Sequence, residues 1–320
     1  MPINLNQIIP RGAKSQGPKP RKKVALAMAG AGARAVMYFG ILDVFAEHGI
    51  EINMISACSS ATFVACAYAC GTLDKLKVRS LEFDQKELFD LFEPSKKGGL
   101  FSLDKVEQEL SDLVTVDNLE ELPIPVSIVA SDIVHGDEVV FTMGNIARAI
   151  KASCSMPGLF EPVVWGNKIL LDGGLFNIIP VEAVKAWKPD IIIGVDLASS
   201  RNLFGDKILR LKRSYNFLAK PIYFINRLGG RFFDYLFPKE EQDMLIDGVK
   251  TPNMLKILDR AMDYALIERK SGEYFNCDVV ITPDVKGYGD ISVKRGEAMY
   301  LEGRRAAEMA IPHIKALLNA

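Results

Sequence analysis

From Val24 onward, apolar residues fall in short runs punctuated by glycine. Val24–Ala29 runs into Gly-rich sequence, and a short apolar run bounded by turn residues reads as a buried parallel strand. Gly32 to Glu47 carries helical spacing and stops at Gly49, where glycine suits a helix end. Ile52–Cys58 predicts a second strand, and Ser60–Cys70 a helix of small residues ending at Gly71. Strand, helix, strand, helix is the pattern of a parallel sheet covered by helices. It continues with strands at Pro125–Asp132, Lys168–Leu171, Asp190–Asp196 and Cys277–Pro283. Glu138–Met143 reads as a hairpin partner across the His135-Gly136 turn. Helices are expected at Ile146–Ser153, Val181–Trp187 and Val293–Leu318. Residues 200–270 break the alternation and read as helical. The expectation is an α/β fold: one domain over 24–320 with a helical insertion at about 200–272, behind a loose basic tail at 1–23.

Composition narrows the function classes. The 320 residues carry a net charge of −1, so no global field attracts nucleic acid, and no such partner is expected. No stretch approaches the ~18 consecutive apolar residues of a membrane span. The N-terminus has no apolar signal region, which predicts a cytoplasmic protein. The five cysteines, Cys58, Cys66, Cys70, Cys154 and Cys277, are odd in number and argue against a disulfide framework. Cys66 and Cys70 read as packing groups on one helix. His48, His135 and His313 show no metal-ligand spacing. Residues 203–237 interleave aromatics such as Phe232 and Phe233 with Lys and Arg. That segment reads as a cap, as a peripheral membrane contact, or as an insertion filling its own core.

Three segments carry candidate chemistry. The first is Ala29-Gly30-Ala31-Gly32-Ala33-Arg34-Ala35, a strand-to-helix turn whose backbone amides suit a phosphate or a developing oxyanion. Gly30-x-Gly32-x-x-Ala35 also fits a dinucleotide fingerprint, but that requires an acid at the end of the second strand. The strand ends Ala57-Cys58-Ser59 instead. The second segment is Ala57-Cys58-Ser59-Ser60-Ala61. It fits a nucleophile elbow, with small residues two before and two after the serine. It also fits a plain N-cap. The third is Asp172-Gly173-Gly174 after a short strand. A serine hydroxyl needs a base. None of the three histidines follows a strand in a suitable turn, whereas Asp172 does. An ordinary Asp-Gly turn is the alternative.

Together these segments resemble the patatin-like phospholipases. That family orders a Gly-rich oxyanion loop with an Arg, a G-x-S-x-G elbow, then D-G-G or D-G-A. The segment from Ala152 to Pro162 also resembles the family's lead into the strand bearing the Asp. The resemblance implies a three-layer αβα sandwich with a mostly parallel sheet. It implies a Ser59–Asp172 dyad hydrolysing acyl esters of phospholipids or lysophospholipids, with no metal or cofactor. Gly30, Ala31 and Gly32 would form the oxyanion hole. Arg34 would anchor the loop, with Ala57, Ala61, Gly173 and Gly174 in support.

The chain departs from the family at a set of alanines. Ala29, Ala31 and Ala35 replace loop glycines, and Ala57 and Ala61 replace those of the elbow. An Ala31 forced to positive φ would carry strain of about 1 kcal/mol or more. The alternative function is therefore a non-catalytic or weakly active lipid-binding or regulatory protein on the same fold.

Overall fold

A computed structural model describes residues 21–197 apart from 85–86, 88–89 and 111–112. It also describes 244–246, 249–251 and 276–320 apart from 289–292 and 294. Strands β1 (Val24–Met28) and β2 (Met54–Cys58) are short, apolar and fully buried, as strands covered on both faces must be. Between them lie a 3-10 turn, Gly32–Val36, and helix α1, Met37–Glu47. The expected Gly32–Glu47 helix is thus tightened in its first turn. Helix α2 (Ala61–Ala69) follows β2.

Two further helices, α3 (Leu73–Glu82) and α4 (Asp104–Leu110), flank a small hairpin of β3 (Glu93–Pro94) and β4 (Phe101–Ser102). Strands β5 (Val126–Asp132) and β6 (Asp137–Phe141) form the expected hairpin. Helix α5 (Ile146–Cys154) leads to the antiparallel pair β7 (Val163–Trp165) and β8 (Lys168–Asp172). Helix α6 (Val181–Lys185), β9 (Ile191–Val195), a hairpin of β10 (Met244–Ile246) and β11 (Val249–Thr251), β12 (Val279–Ile281) and helix α7 (Gly296–Asn319) complete the described chain.

The main sheet runs β12-β9-β1-β2-β5-β8-β7, with β6 on β5. The five strands from β12 to β5 are parallel. Side chains alternate across β1. Val24, Leu26 and Met28 join the large core under α1 and α7, whereas Ala25, Ala27 and Ala29 meet Val181 and Val184 of α6. Helices cover both faces, which makes a three-layer αβα sandwich with a mostly parallel sheet. Helices α1 and α7 cross closely: a Cβ on Gly303 would lie 2.0 Å from the Met37 carbonyl oxygen.

Strand β5 determines where the chemistry sits. Its one edge pairs with β6 from Ile128 to Asp132. Its other edge is shared. Strand β2 pairs in parallel up to Cys58↔Val129, and β8 pairs antiparallel from Ala130↔Asp172 onward. The two strands therefore meet head-on, and their C-terminal ends arrive at adjacent residues of one template.

Two expectations need correction. Of the basic tail, Lys22 and Lys23 are tied down: Lys22 Nζ donates to the Leu317 carbonyl (2.7 Å) and the Lys23 amide to Asp190 (2.7 Å). Residues 1–20 lie outside the described residues. Within 200–272 the described part is strand and not helix, because β10 (Met244–Ile246) and β11 (Val249–Thr251) pair antiparallel. The aromatic–basic segment 203–237 lies outside the described residues.

Candidate active site

Ser59 stands one residue past β2 and one before the Ser60 N-cap of α2. Its backbone is left-handed, with φ 52. A non-glycine residue pays for that conformation with about 1–2 kcal/mol, and such strain marks a sharp strand-to-helix elbow. Side chains hold both of its peptide groups. The Ser59 amide donates to Ser153 Oγ (2.8 Å), and Thr62 Oγ1 donates to the Ser59 carbonyl (2.6 Å). Ala57 and Ala61, both fully buried, bracket the turn at the places where the strand and helix approach.

The head-on meeting of β2 and β8 delivers the carboxylate. Ser59 Oγ donates to Asp172 Oδ2 at 2.6 Å. Asp172 Oδ1 accepts the Gly174 amide (2.8 Å), which fixes the carboxylate plane. Gly173 is held against β5: a Cβ there would sit 2.5 Å from the Val129 carbonyl oxygen. Asp172 itself is 6% exposed. The histidines are placed elsewhere, His135 beside Asp132 (2.7 Å) and His48 beside Glu308 (3.1 Å). Among the described residues, no group of three or more His, Cys, Asp or Glu is arranged to hold a metal.

The Gly-rich loop lies directly over the elbow. A Cβ on Gly30 would be 2.7 Å from Ser59 Cβ, so glycine is required there by contact. The Ala31 amide donates to Ser60 Oγ at 3.3 Å. Gly32 lines the cavity beside Ser59, and its amide has no hydrogen-bond partner among the described residues. Of the three expected oxyanion amides, Ala31 is thus engaged by a side chain, whereas Gly32 is open towards the cavity. The strain anticipated at Ala31 does not arise: Ala31 has φ −149, and the positive φ of the turn, 57, falls on Gly32. Arg34 is buried, and its Nε donates to the Ala31 carbonyl (3.3 Å). The phenol of Tyr38 adds a second anchor on the Ala29 carbonyl (2.7 Å). Burial, and then the Asp196 charge, hold the Tyr38 phenol well above its ordinary pKa, so it stays a donor.

An apolar cavity of about 300 Å³ opens at Ser59. Phe39, Phe63, Leu76, Leu110, Ile150 and Phe160 are among its walls. The thiol of Cys154 also faces it, and burial, then the Asp172 charge, push that thiol far above its ordinary pKa. Burial does the same to Cys58, again with Asp172 as the second cause. Neither sulfur is an available thiolate. Sequence reasoning missed the contacts of Ser153 and Thr62 with Ser59. A serine or threonine on or beside a helix has no distinctive pattern in sequence.

A family model described as patatin-like phospholipase matches residues 26–185, half of the chain. The chain belongs to the patatin-like phospholipase family. Among its relatives is an uncharacterized NTE family protein of Mycobacterium tuberculosis, 31% identical over 56% of this chain and 50% of that protein. A second such protein of the same organism is 28% identical over 91% of this chain and 46% of its own length. Patatin-like phospholipase domain-containing protein 7 of Rattus norvegicus is 26% identical over 55% of this chain and 14% of its own. The chain spans about half the length of the mycobacterial relatives. Among the described residues, no helix is long and apolar enough to cross a membrane.

Proposed function

We propose that this protein is a serine acyl-ester hydrolase working through a Ser59–Asp172 dyad on fatty-acyl esters of phospholipids or lysophospholipids. The observation that carries the reading is the 2.6 Å contact from Ser59 Oγ to Asp172 Oδ2, at a strained elbow facing an apolar cavity. Asp172 accepts the hydroxyl proton as Ser59 Oγ attacks the ester carbonyl. The tetrahedral oxyanion is met by the Gly32 amide and by the Ser60 amide at the start of α2, where the helix dipole favours negative charge. The Ala31 amide joins them if Ser60 Oγ rotates away. Collapse expels the alcohol, which takes the proton from Asp172. Water then attacks the acyl-enzyme with Asp172 taking its proton; the acyl–Oγ bond breaks, Ser59 Oγ regains that proton from Asp172, and the fatty acid leaves.

Family membership and the cavity walls support a lipid acyl chain as the group transferred. Each methylene buried there contributes about 0.8 kcal/mol, or roughly fourfold in kcat/KM. A series of 4-nitrophenyl esters from acetate upward tests this. The expected result is a steep rise with chain length until the cavity is full, abolished in Ser59→Ala and Asp172→Ala. A flat series would refute the acyl-chain reading, and full turnover by Ser59→Ala would refute the dyad. Contact of residues 203–237 with a membrane surface belongs to the same proposal. Phe232→Ser with Phe233→Ser is then expected to weaken liposome binding and spare a soluble short-chain ester.

A further inference from the structure

The C-terminal turn of α5 touches both halves of the dyad. Ser153 Oγ is fully buried and stands between two backbone groups. It accepts the Ser59 amide (2.8 Å) and donates to the Val129 carbonyl (2.6 Å). Cys58 is the last residue of β2 in register with β5, opposite Val129. At Ser59 the strand turns away, and the Ser153 hydroxyl bridges its amide to β5. Two residues on, the Ser155 carbonyl accepts the Asp172 amide (2.9 Å). The Ser155 hydroxyl is turned back onto its own helix, donating to the Lys151 carbonyl (2.8 Å).

We infer that Ser153 is a positioning residue for the hydrolytic reaction, and that the Ser153-Cys154-Ser155 turn sets the separation of Ser59 and Asp172. The inference rests on the dyad reading above. A left-handed serine is not a conformation its own backbone favours, so something outside the elbow must select it. The Ser153 hydroxyl holds the amide on one side of that residue, and Thr62 holds the carbonyl on the other. Because one turn of one helix also grips Asp172, a shift of α5 moves both partners together and preserves the 2.6 Å contact. Removing the Ser153 hydroxyl uncouples Ser59 from that turn and leaves Asp172 in place. Misplacement of a reacting group by about 1 Å costs on the order of 10²-fold in rate.

The test compares Ser153→Ala with Ser127→Ala in the full chain. Ser127 is also a fully buried serine, but its hydroxyl has no partner among the described residues. Rates are normalised to the serine titratable by a fluorophosphonate, so unfolded protein does not count. Ser153→Ala is expected to lower kcat and the phosphonylation rate of Ser59 by about 30- to 100-fold, with KM within about twofold of wild type. Hydrogen exchange at the Ser59 amide should accelerate selectively. Ser127→Ala should change none of these. Wild-type kcat and phosphonylation rate in folded Ser153→Ala would overturn the inference. Failure of the wild type itself to be phosphonylated would instead overturn the dyad reading.

Discussion

Ser59→Gly should be more stable than Ser59→Ala, and the sign of that difference tests the elbow. Both substitutions delete the hydroxyl and its 2.6 Å bond to Asp172, so that loss cancels between them. What remains is the backbone. At φ 52 an alanine keeps the left-handed strain and a glycine does not. The relief is about 1–2 kcal/mol. Glycine loses about 0.4–1 kcal/mol of this through its freer unfolded chain. Taking the middle of each range, the net advantage to glycine is about 0.8 kcal/mol. With a urea m-value of about 3 kcal/mol/M, the midpoint of Ser59→Gly lies about 0.3 M above that of Ser59→Ala. At an ordinary position with negative φ the order reverses, with alanine ahead by about 0.4–1 kcal/mol. Urea unfolding followed by circular dichroism measures this directly. Equal midpoints, or a more stable alanine variant, would refute a strained Ser59. Neither variant should hydrolyse ester.

Gly30→Ala places a methyl 2.7 Å from Ser59 Cβ and 3.3 Å from the Cys58 carbonyl oxygen, so loop or elbow must move. Turnover should fall by on the order of 10²-fold, and wild-type turnover would show that the contact does not matter. Iodoacetamide at pH 7.5 should leave ester hydrolysis intact, because burial and the Asp172 charge keep Cys154 and Cys58 as neutral thiols. Rapid inactivation would contradict that. Burial alone would raise the Asp132 carboxyl. Its hydrogen bonds to His135, the Val134 amide and Lys168 outweigh that and hold it below the ordinary range. Its stabilising contribution is therefore complete above the unfolded pKa of about 3.9 and is lost as pH falls below it. Between pH 5 and pH 3 the urea midpoint of the wild type should drop more steeply than that of Asp132→Asn. Equal slopes would show that Asp132 is not the group responsible.

Much of the sheet was legible because buried parallel strands are continuous apolar runs. β1, β2, β5 and β9 each lie within two residues of the expected bounds. The direction of β8 was not legible. A run such as Lys168–Leu171 reads the same in either orientation, and only its pairing at Asp172 with Ala130 reveals that it meets β2 head-on. Helices α3 and α4 were missed because each buries little: Leu76 is the buried residue of one and Leu110 of the other. At the site, Ser59 and Asp172 each also fitted an ordinary cap or turn, and it was the order of the three segments, resembling the patatin-like phospholipases, that singled them out. The loop alanines read as a threat to the backbone because sequence does not say which residue of a turn takes positive φ. Gly32 takes it, and Ala31 is spared. Ser153 lay in the segment that resembled the family, but its contact with Ser59 was not legible, since it depends on a strand end contributed from elsewhere in the chain.

The proposed reaction requires Ser59 to be a nucleophile activated by Asp172. Incubation of the full chain with a fluorophosphonate, followed by mass spectrometry of the proteolysed adduct, tests it most directly. A single covalent adduct on Ser59 is expected, absent in Ser59→Ala and formed far more slowly in Asp172→Asn. An unmodified Ser59 in folded wild-type protein, or an adduct formed as fast without the Asp172 carboxylate, would contradict it.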